Sequence, residues 1–266
     1  MRLAVRHVTT YRYARPVAYA LQQLRLTPKD RTGQRVIDWR LEVEGGTRQL
    51  GFTDHHANAV DLISVASGGE AIVITSCGTV ETEDRAGMVG AHGGHLPLWY
   101  FACDTALTRP GRALRTLDRS IAPDGDAIAR LHALSAAVRG AIAYAPGHTH
   151  AETTAEQALT IGSGVCQDHA HSFCAAARLL GFPARYVSGY LLMDDRADQD
   201  ATHGWAEAHV DGIGWIGFDV SNGMSPDARY VRVATGLDYR EAAPVTGMHF
   251  GGMGEEMLVS VHVQQQ

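Results

Sequence analysis

The first third of the chain alternates. Ile37, Trp39, Leu41 and Val43 take turns with Asp38, Arg40, Glu42 and Glu44, a period of two that gives a strand one apolar and one polar face. Similar runs occupy 3–13, 18–26, 59–65 and 71–82, separated by the turn-rich pieces Gly45-Gly46, Asp54-His55-His56-Ala57-Asn58 and Ser67-Gly68-Gly69. Short strands at this spacing predict an antiparallel sandwich or barrel. Between 86 and 120 the pattern gives way to Gly87, Gly90, Gly93, Gly94, Pro97, Pro110 and Gly111, with one apolar stretch at 96–101. That segment reads as a connector.

After Pro123-Asp124 the period changes to that of a helix. Ile128, Leu131, Leu134, Val138 and Ile142 recur at three and four, and Asp124 or Asp126 is placed to cap the start. A second helix opens at Thr153 or Thr154, where Thr153 and Glu156 have capping-box spacing, and Gly162 ends it. A third begins at Cys166. Its expected buried stripe is Ala170, Phe173, Cys174, Ala177 and Leu180, closed by Gly181 and Pro183. The period then returns to two over 184–192, 204–210 and 215–220. Asp211-Gly212 marks a hairpin between the last two, and further strands are expected at 229–234 and 257–263. The expected organisation is α+β: an N-terminal antiparallel β-region over 1–85, a connector over 86–120, and helices packed on an antiparallel sheet over 121–266.

The formal net charge is −6, which offers no clustered basic face for nucleic acid. Lys29 is the only lysine. No apolar run approaches the ~20 residues of a membrane span, and Met1 to His7 has a strand pattern without a secretory core. A cytoplasmic chain with no membrane contact is therefore expected. The four cysteines, Cys77, Cys103, Cys166 and Cys174, lack CxxC spacing, and one reactive thiol plus three packed ones accounts for them. His92 with His95, His148 with His150, and Cys166 with Asp168, His169 and His171 match no zinc pattern. Gly68-Gly69 and Gly251-Gly252 lack a phosphate-loop continuation. Neither metal nor cofactor is expected.

Cys166 lies in Gly162-Ser163-Gly164-Val165-Cys166-Gln167-Asp168, a glycine-bracketed turn leading into a helix. The unpaired N–H groups of a helix start favour a thiolate, and an imidazolium nearby favours it further. His203 opens one arm of the predicted hairpin and Asp219 ends the other, so folding at Gly212 brings them across from each other. Thiol, base and orienting carboxylate form a candidate catalytic triad. The Cys166 N–H would be one oxyanion donor, with Tyr144, Gln167 or Trp205 the second. Glu207, on the face of His203, is expected to be a structural or solvated carboxylate, and Asp168 a helix-start or pocket one.

Gly164-Val165-Cys166-Gln167-Asp168, the segment 183–190, Thr202-His203-Gly204-Trp205-Ala206-Glu207 and the segment 214–223 together resemble the bacterial transglutaminase-like superfamily. Tyr11-Arg12-Tyr13, Pro16-Val17 and 24–28 resemble that family's N-terminal β-region, and 231–239 the segment after its aspartate. The resemblance implies a papain-like core behind a β-sandwich, with Cys166 as nucleophile, His203 as base and Asp219 as orienting acid. Two positions depart from its pattern: His169, where phenylalanine is expected, and Gly204, where alanine is usual. The implied activity is thiol-dependent acyl transfer on a peptide, protein or other amide substrate. Hydrolysis is favoured over cross-linking because water is always present. Two alternatives use the same residues differently: a non-catalytic binding module of papain-like shape, and an arylamine N-acetyltransferase-like enzyme. The second fits less well, since Ser163-Gly164-Val165 replaces its arginine and two glycines.

Overall fold

The structure, a computed structural model, describes residues 1–65, 68–251 and 254–266. Ser67 of the expected turn and Gly252 of the Gly251-Gly252 pair lie outside the described residues. The N-terminal region comprises β1 (Arg2–Leu24), β2 (Gln34–Glu44), β3 (Thr47–Thr53), β4 (Ala59–Val65) and β5 (Gly69–Thr82). There follow β6 (Met88–Gly90), a 3-10 helix (Leu98–Ala102), α1 (Arg112–Arg119), α2 (Ala127–Ala141), β7 (Ala143–Tyr144), α3 (Ala155–Ile161), β8 (Ser163–Gly164) and α4 (Cys166–Leu179). The remaining elements are β9 (Ala184–Leu191), β10 (Asp198–Gln199), β11 (His203–Val210), β12 (Gly214–Phe218), β13 (Tyr230–Gly236), α5 (Tyr239–Ala242), β14 (Val245–Gly251) and β15 (Glu255–Gln265).

The two strands expected at 3–13 and 18–26 are one. The first half of β1 pairs with β5 and β15, placing Val5 opposite Gly78 and Val263, while its second half pairs with β4 and β14, placing Leu24 opposite Asp61 and Val245. The register to β5 shifts between Arg12 and Val17. Pro16, which has no N–H to donate, falls in that interval, where its cost to the ladder is smallest. Tyr11, Val17, Leu24, Ile63, Ile72 and Ile74 form the core of this region. The last two strands thus return to β1 and complete the N-terminal sheet.

Strands β13, β9, β11, β12 and β6 form the second sheet in that order, every pair antiparallel. The hairpin turns where expected, with Val210 opposite Gly214 and positive φ at Gly212 (79°) and Gly214 (100°). Helix α4 packs on this sheet through Phe173 and Ala177 against Ala206, Ala208 and Phe218. Its burial is not confined to a stripe: every residue from Asp168 to Arg178 is buried, because α1, α2 and α3 cover what the sheet leaves open. The capping details also differ from expectation. Thr154 caps α3 and forms its box with Gln157, whereas Glu156 accepts from the N–H groups of Gly111, Ala113 and Leu114 and caps α1, a helix inside the expected connector.

Leu3, Val5, Val80, Val261 and Val263 meet Tyr190, Val231 and Val233 in one buried cluster, joining the two sheets. Polar contacts close the same boundary. Strand β13 is the edge of the second sheet, and an edge leaves backbone groups unpaired. The Gln34 amide donates to Arg232 O (2.9 Å) and accepts from Arg232 N (2.8 Å), and Asn58 does the same for Thr235 at 2.8 and 2.9 Å. Beside them Glu207, fully buried, accepts from Arg185 Nε at 2.6 Å, Arg232 Nε at 2.7 Å and Arg232 Nη2 at 2.9 Å, linking β11 to both β9 and β13. Burial would raise the Glu207 carboxyl, but the two guanidiniums hold it down to about 2. Glu207→Ala, which strands two buried cations, is expected to cost about 3–5 kcal/mol. A urea unfolding midpoint equal to wild type would contradict this.

Candidate active site

Cys166 is the first residue of α4 and is partly exposed. Gly164 and Asp168 shape that start. The Asp168 carboxylate accepts from Val165 N at 2.8 Å and from Thr149 Oγ1 at 2.7 Å, and a Cβ on Gly164 would lie 2.6 Å from its Oδ2. Asp168 is therefore a buried helix-start carboxylate that uses the space glycine leaves free.

His203 begins β11, and Asp219 immediately follows β12. His203 Nε2–H donates to Asp219 Oδ2 at 2.6 Å, and Cys166 lies within electrostatic reach of the same ring. Burial disfavours the imidazolium, but the bond to Asp219 and the electrostatic attraction of Cys166 and Asp219 outweigh it and raise the pKa to about 10. The three expected triad residues are thus brought together. Burial would likewise raise Asp219, yet its bonds to His203, Asn222 and Tyr230 hold it below the usual carboxylate range. Asn222 N–H donates to Oδ1 at 3.2 Å, Asn222 Nδ2 to Oδ2 at 2.7 Å, and Tyr230 O–H to Oδ2 at 2.7 Å. Neither Asn222 nor Tyr230 stands out in the sequence. Asn222 sits in a turn closed by the Asp219–Met224 bridge, and Tyr230 arrives from β13.

Trp205 stacks on His203 with ring centroids 6.1 Å apart and packs edge-on against Tyr230 at 5.5 Å. It is buried behind the imidazole. Gln167 Nε2 donates to Ala151 O at 3.1 Å. Of the three expected partners for an oxyanion, Tyr144 alone lines the open cleft, a volume of about 560 Å³ that also reaches His203, Ser221, Met193 and Arg229.

Both ring nitrogens of His169 are already hydrogen-bonded. Its Nε2–H donates to Ile142 O at 2.9 Å, Ser221 O–H donates to Nδ1 at 2.7 Å, and burial lowers its pKa. A neutral imidazole thereby ties the Asp219–Asn222 turn to the end of α2. His171 Nε2 accepts from Tyr239 N at 2.9 Å, and burial and the Arg178 charge push it down to about 3. Of the cysteines, Cys77 and Cys174 are packed as expected, but Cys103 is exposed. It follows the 3-10 helix on its outer side, Sγ meeting Trp99 O at 3.6 Å, so the aromatic cluster does not enclose it. Among the described residues, the one group with metal-ligand atoms within 4.8 Å of each other is His55, His56 and Glu241, none of them among the pairs weighed from sequence. His56 Nε2–H donates to Glu241 Oε2 at 2.7 Å, as does Leu237 N at 2.7 Å, fastening the 54–58 turn to α5.

Two family models match this chain in order: the bacterial transglutaminase-like N-terminal region over residues 3–81 and the transglutaminase-like superfamily core over 115–220. The chain belongs to the transglutaminase-like superfamily. An uncharacterized protein of Mycobacterium leprae is 29% identical over 98% of this chain and 98% of its own length, and one of Mycobacterium tuberculosis is 27% identical over 98% and 91%. The crystal structure of a candidate cysteine protease from Cytophaga hutchinsonii superposes with a TM-score of 0.78 at 18% identity, covering 99% of this chain and 98% of that one. The fold of both regions is shared. Among the described residues of this transglutaminase-like protein, no helix is long and apolar enough to cross a membrane.

The structure explains Gly204 in this transglutaminase-like core. A Cβ there would collide with the hydroxyl of Tyr186, a buried residue of β9 packed between His171 and Tyr239. Gly204→Ala is expected to lower the thermal midpoint, and Tyr186→Phe in the same chain to recover part of the loss. Additive losses would contradict the collision. The His203 pair also has a pH signature. Because its folded pKa lies above the unfolded value near 6.5, its stabilisation is complete below that value and is lost as pH rises through about 10. NMR of ring-labelled histidine should find His203 protonated at pH 8, and Asp219→Asn should lower its midpoint by more than one unit.

Proposed function

We propose that this protein is a thiol-dependent acyl-transfer enzyme acting on amide or peptide bonds. Cys166 Sγ, its proton held by the His203 imidazolium, attacks the carbonyl carbon, and His203 gives that proton to the leaving amine as the C–N bond breaks. Asp219 holds the imidazole and stabilises its charged form. Water, activated by the same histidine, then cleaves the thioester and releases the acid. Hydrolysis is preferred to amine transfer because water is always present at an open cleft. The observation that carries this reading is one imidazole that donates to a fully buried carboxylate while Cys166, at a helix start, lies within electrostatic reach of the ring.

In this reading the Cys166 N–H, at a helix start where backbone donors are unpaired, meets the developing oxyanion, and Tyr144 at the cleft is the side chain best situated to assist. The cleft walls combine Leu191, Leu192 and Met193 with Asp194, Asp195 and Arg196, which suits an extended peptide with apolar and charged side chains. A cytoplasmic setting belongs to the proposal, since a reducing compartment keeps the free thiol active.

Iodoacetamide labelling at pH 7 tests it, in a Cys103→Ser background that removes the exposed competitor. Cys166 should react faster than the same cysteine in denatured protein, and His203→Ala should slow it at least tenfold. In parallel, peptide and glutamine-amide substrates should be turned over by wild type and not by Cys166→Ala. Equal labelling with and without His203 would exclude the catalytic reading and favour a binding module.

A further inference from the structure

Behind the proposed triad, on the far side of Trp205 and Tyr230, lies a second cavity of about 80 Å³ between the N-terminal region and the second sheet. Arg31 and Arg232 line it together with Glu207. Arg31 Nε and Nη2 and Arg232 Nη1 are screened from solvent and have no hydrogen-bond partner among the described residues. Arg232 as a whole is 7% exposed. Unpaired buried guanidinium donors are costly.

The local charge is also unbalanced. Arg31, Arg185 and Arg232 surround one buried carboxylate, Glu207, whose oxygens are already shared by the latter two. The other carboxylates lining the cavity do not correct this: Asp227 is held by Arg229, and Glu83 is exposed. Burial, followed by the repulsion of Arg232, lowers Arg31 to about 9. Nε and Nη2 share one edge of a guanidinium and present two parallel N–H groups, a fork matched to two oxygens of one anion. A cavity of this size has room for a few waters or for one small tetrahedral oxyanion.

We propose that this cavity is a binding site for a small inorganic oxyanion of the phosphate or sulfate class, gripped by the Arg31 fork and Arg232 Nη1. The bound anion neutralises the excess charge between the two regions and makes their junction sensitive to anion supply. This site is independent of the reaction proposed at Cys166.

Titration calorimetry with inorganic phosphate, replacing chloride at constant ionic strength, is the test. Wild type should bind one phosphate saturably, and its Tm should rise with phosphate and level off. Arg31→Met keeps the length of the side chain and removes the fork; it should fold, bind phosphate at least tenfold more weakly, and lose most of the Tm increase. Arg35→Met, on the exposed surface nearby, should behave as wild type. Absence of saturable binding would mean that solvent fills the cavity. Equal protection by chloride and phosphate would mean general screening. Either result, or an equal response of Arg31→Met and wild type, overturns the assignment.

Discussion

A carboxylate without solvent contact stays ionised only when its oxygens are engaged, and Asp219 meets that condition with four hydrogen bonds from three residues. Everything proposed for the site follows from this. An anionic Asp219 fixes the Nε2–H of His203, which leaves Nδ1 free for the thiol and keeps the imidazole charged despite burial. The supports come from separate elements. Asn222 is supplied by the turn after β12, Tyr230 by β13, and the turn itself is pinned to α2 through Ser221 and a neutral His169.

Because Tyr230 opens β13, the site is tied to the junction between the two sheets. Strand β13 is held on one side by its ladder to β9 and on the other by the amides of Gln34 and Asn58 from the N-terminal region. The N-terminal region thus acts as the missing neighbour of an edge strand. Glu207 and its two arginines fix the same strand through side chains. A shift of β13 would move Tyr230 away from Asp219, so the β-region bears on the geometry of the cleft without lining it.

Much of this was legible along the chain. The hairpin at Asp211-Gly212, the helix beginning at Cys166, and the order of thiol, imidazole and carboxylate are local signals, set by turn conformations and short spacing. The fold class and the N-terminal β-region followed as well. What local pattern misjudged shares a cause. The box assigned to Thr153 and Glu156 belongs to Thr154 and Gln157, because Glu156 is drawn to the unpaired N–H groups of α1, some 42 to 45 residues earlier. Cys103 follows an aromatic run, yet its side chain leaves the cluster. The strands at 3–13 and 18–26 join because each half of β1 finds its own partners on both sides.

The sequence by itself determined the period-two and helical stretches, the hairpin at Asp211-Gly212, the helix beginning at Cys166 and which three side chains could form a triad, since periodicity, glycine turns and helix-start chemistry act over a few residues. Tertiary structure decided the rest: that β15 returns to β1, that Gln34 and Asn58 complete β13, that Tyr186 forbids a side chain at 204, and that Tyr230 and Asn222 complete the shell of Asp219. Those choices depend on burial and hydrogen-bond satisfaction between residues far apart in the chain. A polar group reveals its partner only when packing removes water from both.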